Sequence, residues 1–225
     1  YNTGVCIDAL TNTTNGGAYN SALGFRALYS NTTGIQNTAV GYAGLHSNTT
    51  GNYNIAIGRS SLYSNTTGSS NTATGRTASY NNTTGSSNTA IGYQPLYYNV
   101  NGSNLTALGY RAGFGATGNS HNNGTFLGSQ SGYGITTGGN NTLTGFQSGY
   151  AVTTGANNVT LGYKAGDAIT TGSNNIIIGA STDSTSATAS NRLNIGDTIY
   201  GDLQNGNVGI GTASPNYEID VEFSN

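Results

Sequence analysis

One pattern of apolar and polar positions repeats along most of the chain. A short segment ends in an apolar residue and a glycine, as in "NTAVG" at 37–41 and "NTAIG" at 88–92. This final glycine, the anchor glycine, recurs at 17-residue spacing in nine of ten intervals and at 19 residues in the other. The anchors are Gly24, Gly41, Gly58, Gly75, Gly92, Gly109, Gly128, Gly145, Gly162, Gly179 and Gly196. A fixed period predicts a stack of equal structural units.

The residues before each anchor predict a strand that is apolar on both faces. The residue directly before it is usually aliphatic, as at Leu23 and Ile57, and the preceding one is small or apolar, as at Ala22 and Ala56. Adjacent strand residues point to opposite faces. One face is therefore expected to pack inside the chain's own coil, and the other against a partner chain.

The second half of each unit predicts another strand and a turn. Its second residue is usually polar and is expected to face water, and its fifth is usually aromatic. The "NTTG" or "ITTG" that follows predicts a turn whose glycine takes positive φ and whose asparagine joins a hydrogen-bonded ladder between coils. The turn glycines are Gly34, Gly51, Gly68, Gly85, Gly138, Gly155 and Gly172.

These elements together predict an all-β fold, a parallel β-roll or β-solenoid of 17-residue repeats. About eleven coils stacked at the usual strand spacing of ~4.8 Å give a rod of roughly 50 Å. Each coil has few aliphatic residues for its interior, which favours association of identical chains with closed symmetry. The residues alone leave the number of chains open.

Composition narrows the function classes. Only 6% of the 225 residues are charged, the net charge is -2, and there are 36 glycines, which disfavours helices. The six Lys and Arg residues are spread along the sequence, which predicts no basic stripe and no nucleic-acid partner. No apolar run reaches the roughly 20 residues of a membrane span, so membrane insertion is not expected.

The reactive side chains form no recognisable catalytic set. Cys6 lacks a nearby base, the acidic residues form no repeated array, and His46 stands at the aromatic position of its unit. His121 lies in a polar loop without carboxylate or thiol neighbours, which a zinc site would need. The chain is therefore expected not to be an enzyme and to need no metal or cofactor.

Two groups of residues are candidates for contact with a glycan or protein receptor. The first is the row of tyrosines five residues after the anchors, which either pads the coil corner or binds sugar rings. The second is the loop in the 19-residue interval, which breaks the repeat. The candidates are Tyr29, Tyr63, Tyr80, Tyr97, Tyr133, Tyr150, His121, Asn122 and Asn123.

Two segments resemble known families. The "NTAIGYxAL"-like units, over about residues 5–182, resemble the head repeats of trimeric autotransporter adhesins, although those repeats are typically shorter. The tail from Arg192 to Val221, with "GNVGIGTASP", is similar to the segment before the intramolecular chaperone of endosialidase-type phage tail fibres. The resemblance implies an intertwined homotrimer and a location outside the cell, on a cell surface or a virion.

The expected organisation is a repeat β-roll at 1–180, a low-complexity linker at 181–190 and a C-terminal β segment at 191–225. The expected function is a structural or adhesive extracellular fibre of the tail-fibre or bacterial-adhesin type, which contacts a host or cell surface without catalysis. Two alternatives remain open, an ice-binding β-solenoid and a purely structural spacer of a longer fibre.

Overall fold

The computed structural model describes residues 1–14, 16–118 and 120–222. The regular elements in these ranges are fifteen β-strands of three or four residues, and none of the described residues forms a helix that could cross a membrane. The strands are β1 (Thr3–Val5), β2 (Ser21–Leu23), β3 (Thr38–Val40), β4 (Ile55–Ile57), β5 (Thr72–Thr74), β6 (Thr89–Ile91), β7 (Thr106–Leu108), β8 (Thr125–Leu127), β9 (Thr142–Thr144), β10 (Val159–Leu161), β11 (Ile176–Ile178), β12 (Arg192–Ile195), β13 (Ile199–Asp202), β14 (Asn207–Ile210) and β15 (Ile219–Val221).

The strands form one sheet whose order follows the chain. From β1 to β12 all pairs are parallel, and equivalent residues of successive units face each other, as Ala39 and Ala56 do. Each 17-residue repeat therefore forms one coil of the stack. The predicted all-β parallel β-solenoid of 17-residue repeats is confirmed.

The prediction of a second strand after the anchor glycine of each coil was wrong. The stretch after the anchor glycine is a turn, because its second and fourth residues take left-handed backbone, as Ala43 (φ 54°) and Leu45 (φ 50°) do. The turn still bonds to both neighbouring coils. The Ala43 amide donates to the Phe25 carbonyl at 2.8 Å, and the Leu45 amide donates to the Ser61 carbonyl at 3.0 Å.

The interior of the early coils is narrow and alternates small and large side chains. The middle residue of each strand points inward, and Ala39 and Ala56 are fully buried there. Leu45 and Leu62, four residues after their anchors, are also fully buried. Small residues on the sheet side thus leave room for leucines from the turn.

After the 19-residue interval, the large side chain comes from the strand and the small residue comes from the turn. Phe126 and Leu143 take the inward strand position, and glycines replace the turn leucines at Gly132 and Gly149. A Cβ on Gly149 would lie 2.7 Å from Cδ1 of Leu143, so the glycine makes room for that side chain. The early and late coils are therefore two ways to fill one cross-section.

Buried asparagines tie successive coils together, as the sequence predicted. The Asn54 backbone amide donates to Oδ1 of Asn37 at 2.9 Å, and Asn54 Nδ2 donates to the Gly68 carbonyl at 2.8 Å. A second ladder joins the asparagines of the "NTT" runs, where Nδ2 of Asn65 donates to Oδ1 of Asn48 at 2.8 Å. The buried side chains of these asparagines satisfy backbone groups that water cannot reach.

The turn glycines are needed for space and not for positive φ, which corrects the sequence prediction. Gly51 has no positive φ, but a Cβ there would overlap the Gly68 carbonyl oxygen and Oδ1 of Asn48. The positive φ falls two residues later, at Tyr53 (φ 60°). The anchor glycines from Gly24 to Gly162 need both properties: Gly58, for example, has φ 127° and its Cβ would lie 2.6 Å from the carbonyl oxygen of the next anchor.

The C-terminal segment continues the same sheet. Strand β12 pairs with β11 in parallel, β13 and β14 follow antiparallel, and β15 pairs with β14 in parallel. Residues 181–190, expected as a linker, also bond to the preceding coil: the Ala187 carbonyl accepts from the Thr170 amide at 2.8 Å, and Ser190 Oγ accepts from the Ser173 amide at 2.9 Å. Residues 223–225 of the predicted segment lie outside the described residues.

Candidate interaction surfaces

The outward side of the sheet carries a row of aliphatic side chains, mostly at the third strand position, beside a row of threonines at the first. We define the apolar face as the first and third residues of strands β2–β11, which point away from the coil interior. Leu23 is 50% exposed, Ile57 41% and Leu161 48%. Large aliphatic side chains in such a row are unusual on a monomer surface and indicate an interaction site.

The tyrosine row predicted from the sequence is a continuous stack of rings. We call it the inner aromatic row. Neighbouring ring centroids are 4.8–5.5 Å apart and their planes differ by 3–16°. Its members are Tyr29, His46, Tyr63, Tyr80, Tyr97, Phe114, Tyr133 and Tyr150.

This stacking determines what the inner aromatic row can offer to a ligand. Each ring covers the faces of its neighbours, and the side chains are half-buried. A sugar ring stacks on an aromatic face, and between successive rings those faces are covered. A receptor would therefore meet the ring edges of this row. Burial raises the pKa of Tyr97, and burial together with the charge of Arg26 lowers the pKa of His46.

A second aromatic row, one residue after the anchors, was missed by the sequence reasoning. We call it the outer aromatic row. It contains three stacked pairs with centroids 5.4–5.6 Å apart, namely Phe25 with Tyr42, Tyr93 with Tyr110, and Phe146 with Tyr163. These rings are more accessible than the inner row, and Tyr42 and Tyr163 are each 52% exposed. The sequence does indicate this row, because the residue directly after the anchor glycine is often Phe, Tyr or Arg.

Basic side chains occupy the same edge of the solenoid. Arg59 and Arg76 directly follow their anchors, and Arg26, Arg111 and Lys164 come one residue later. Stacking of the coils therefore collects five of the six cations into one line, which we call the basic corner. The sequence prediction of no basic stripe was wrong, because cations at multiples of the period are distant in sequence and aligned in the fold.

Aromatic rings position the cations of the basic corner. The Arg59 guanidinium carbon lies 5.7 Å from the ring centroid of Tyr42, and that of Arg76 lies 5.5 Å from Tyr93. Arg111 lies 5.0 Å from the Phe114 ring, and its Nε donates to the side-chain oxygen of Gln94 at 3.0 Å. Cation–π contacts of this kind hold a charge in place without neutralising it.

The loop in the 19-residue interval does not bring its predicted residues together on the surface. His121 is only 1% exposed and packs edge-on against Phe126, with centroids 5.4 Å apart. It is therefore unavailable to a receptor in this conformation, which corrects the prediction. Asn122 and Asn123 are exposed, and Asn123 lies in a surface amide ladder, accepting from Asn104 at 3.1 Å and donating to Asn140 at 3.0 Å.

Burial also sets the protonation of His121. Among the described residues, neither ring nitrogen has a hydrogen-bond partner of normal geometry. Burial lowers the pKa of His121 to about 4, and a weak interaction with the Thr136 backbone opposes the shift only in part. The ring is therefore neutral at pH 7 and fills space beside Phe126.

Candidate chemistry elsewhere is sparse. Among the described residues, no group of three or more His, Cys, Asp and Glu side chains is placed to hold a metal ion. The C-terminal segment has a shallow pocket lined by Thr185, Arg192, Asp202, Ser214 and Asn216, in which Arg192 and Asp202 are 3.7 Å apart.

Comparison with known proteins adds no family assignment. No family model, no curated protein and no solved structure matches this chain.

Proposed function

We propose that this chain is a structural or adhesive segment of an extracellular fibre that assembles with copies of itself as a homotrimer. In this proposal the fibre contacts a host or cell surface and performs no catalysis. The apolar face carries the proposal, because it contains a row of aliphatic side chains, parallel to the rod, that are still 38–50% exposed in the single chain. An identical row on a second copy has the same length and spacing.

The energetics of the apolar face support self-assembly. Fully burying one Leu or Ile side chain stabilises by about 1.5–3 kcal/mol, so completing the burial of a half-exposed one contributes about 1 kcal/mol. Several such side chains per chain give several kcal/mol, which is the order needed to offset the freedom lost on association. The contributors with 38–50% exposure are Leu23, Ile55, Ile57, Ile91, Leu108, Val159 and Leu161.

The number of chains and the location outside the cell rest on the resemblance of the repeats to trimeric adhesin heads and of the tail to phage fibres. A narrow rod in which each coil bonds only to its neighbours is also suited to bridging distance. The outer aromatic row, in which Tyr42 and Tyr163 are each 52% exposed, and the ring edges of the inner aromatic row are the candidates for contact with a cell surface.

Paired variants test the apolar face. Ile57→Asn with Ile91→Asn places two polar amides on the face, and the control Thr50→Asn with Thr67→Asn places the same amides on an exposed row away from it. We expect the first pair to lower the molar mass by light scattering at micromolar concentration, and the control to keep that of the unmodified chain. An equal mass for all three proteins would refute the role of the apolar face.

An ice-binding solenoid is the second candidate, favoured by one observation. Threonines recur at the first outward strand position, so hydroxyl and methyl groups form a regular array at the ~4.8 Å strand spacing. These threonines are Thr38, Thr72, Thr89, Thr106, Thr125 and Thr142. A monomer that shapes ice crystals and shows thermal hysteresis would favour this candidate over the fibre. A spacer role would be favoured by an oligomer that binds no cell surface.

A further inference from the structure

The charges of the chain are separated between its two ends. Residues 9–166 contain five cations and no Asp or Glu, whereas seven of the eight acidic residues lie at position 167 or later. Arg26 pairs with Asp8 at 3.2 Å. Among the described residues, the other four cations of the basic corner have no ion-pair partner. The roll therefore presents an uncompensated positive line, although the whole chain carries a net charge of -2.

The spacing of the cations selects among polyanions. Successive members of the basic corner, from Arg26 to Lys164, are two, one, two and three coils apart. At the ~4.8 Å strand spacing this is on average one cation per roughly 10 Å. One strand of DNA carries a phosphate about every 3.4 Å. The corner is thus about three times sparser in charge than a nucleic acid strand.

The surface between the cations is neutral and carries exposed rings. The outer aromatic row lies in the same line, with Tyr42, Tyr110 and Tyr163 about half-exposed, and uncharged polar residues such as Gln94 and Gln147 alternate with the basic residues. Ring edges and amides suit the hydroxyl-rich parts of a sugar chain. Dispersed cations suit acidic groups that recur once in two sugars.

We propose that the basic corner binds an anionic polysaccharide whose acidic groups alternate with neutral sugars. This rests on the proposed function, because it names the chemistry of the surface that the fibre contacts. The polysaccharide lies along the rod, its acidic groups beside the guanidinium groups and its neutral sugars against the outer aromatic row. Binding is weak for each unit and accumulates along the chain.

Two other occupants are less suited to the corner. Single-stranded nucleic acid would leave most of its phosphates unpaired at this spacing. The acidic C-terminal segment of a second copy has the right charge, with seven acidic residues from Asp167 onward, but five of them lie beyond the stacked repeats in the chain's last 30 residues. That crowded charge differs from the wide spacing of the corner, whose cations are one to three coils apart. Both occupants are separate arms of the test.

The test uses the full chain with hyaluronan oligosaccharides, which carry one carboxylate per disaccharide. The variant Arg59→Gln/Arg76→Gln/Arg111→Gln removes three charges from the corner. We expect hyaluronan binding to weaken by about tenfold to a hundredfold, at about twofold to fivefold per exposed charge. The single variant Arg76→Gln should weaken hyaluronan binding by about twofold to fivefold. Its matched control Arg192→Gln, which lies off the corner, should weaken hyaluronan binding by less than about twofold.

The remaining arms decide between the occupants. Binding to hyaluronan should fall as salt rises from 50 to 300 mM, and neutral dextran should not bind. Equal binding by the triple variant, equal binding of dextran, or tighter binding of single-stranded DNA at equal charge concentration would overturn the proposal. Molar mass is measured on the same samples. A lower mass for the triple variant without hyaluronan binding by the unmodified chain would assign the corner to a second copy.

Failure of this proposal is distinguishable from failure of the fibre. An oligomer that ignores hyaluronan refutes the ligand of the corner alone. A monomer that binds hyaluronan, and loses binding in the triple variant, supports the corner and refutes the assembly.

Discussion

The exchange of residue sizes between early and late coils predicts a strong coupling between Leu143 and Gly149. In the late coil, Leu143 fills the interior and Gly149 leaves room for it. In the early coil the equivalent residues are Ala39 and Leu45. Gly149 has φ 59° and Leu45 φ 50°, so a leucine is already accommodated in this backbone conformation. The double variant Leu143→Ala/Gly149→Leu should therefore recreate an early-type interior in a late coil.

The single variants supply the magnitudes. Gly149→Leu places its Cβ 2.7 Å from Cδ1 of Leu143, and overpacking of this kind costs about 1–3 kcal/mol, with about 1–2 kcal/mol more for a left-handed residue that has a Cβ. Leu143→Ala leaves a cavity and costs about 2–5 kcal/mol. Independent effects would add. Because the double variant restores the volume, we expect it to be more stable than that sum by at least about 2 kcal/mol.

Urea unfolding of the four proteins at one fixed chain concentration measures this coupling, since association also contributes to apparent stability. Hydrogen exchange of the amides in β9 and β10 provides a local measure, because repeat proteins open unit by unit. The control is Thr154→Ala, an exposed threonine of the same coil, which should change stability by less than about 0.5 kcal/mol. A double variant whose loss equals the sum of the single losses would refute the exchange of volumes.

Two further predictions concern buried polar groups. Burial lowers the pKa of His121 to about 4, below the 6.5 of an unfolded histidine. Between these two values the unfolded state binds a proton that the folded state does not, so the free energy of unfolding is highest above pH 6.5 and falls as the pH falls toward 4. The free energy of unfolding should fall by about 3 kcal/mol from pH 7 to pH 4 because of His121, and this part of the fall should be missing in His121→Leu. Parallel curves of unfolding free energy against pH for the two proteins would contradict the prediction. Asn54→Ala should cost about 2–4 kcal/mol in thermal unfolding, because it leaves the buried Asn71 amide unpaired and removes a donor from the Gly68 carbonyl. Asn157→Gly is the control in the exposed ladder: glycine accepts the left-handed backbone of this position (φ 58°), so the loss should be less than about 1 kcal/mol. Equal losses would contradict the role of the buried ladder.

The period of the repeat was sufficient to predict the fold and the strand. A 17-residue spacing of the anchor glycine requires equivalent residues to stack, so inward and outward strand positions follow from the alternation of strand side chains. The second strand could not be predicted, because left-handed backbone at residues such as Leu45 depends on contacts with the next coil. For the same reason the turn glycines were assigned a positive φ that falls instead on Tyr53.

The candidate surfaces were only partly predictable. The inner aromatic row was evident in the alignment of repeats, but its ring-on-ring stacking follows from the coil spacing. The basic corner was not predicted, because its cations occupy two adjacent repeat positions and are absent from several coils. His121 has the sequence context of a polar loop residue, but it is buried because its ring packs against Phe126, the first large side chain at the inward strand position.

The most direct test of the central claim, assembly through the apolar face, is the molar mass of the unmodified chain by light scattering across a micromolar dilution series. The proposed homotrimer of 22.8 kDa chains predicts about 68 kDa. A mass of about 23 kDa at every concentration, with the sheet intact by circular dichroism, would contradict the claim.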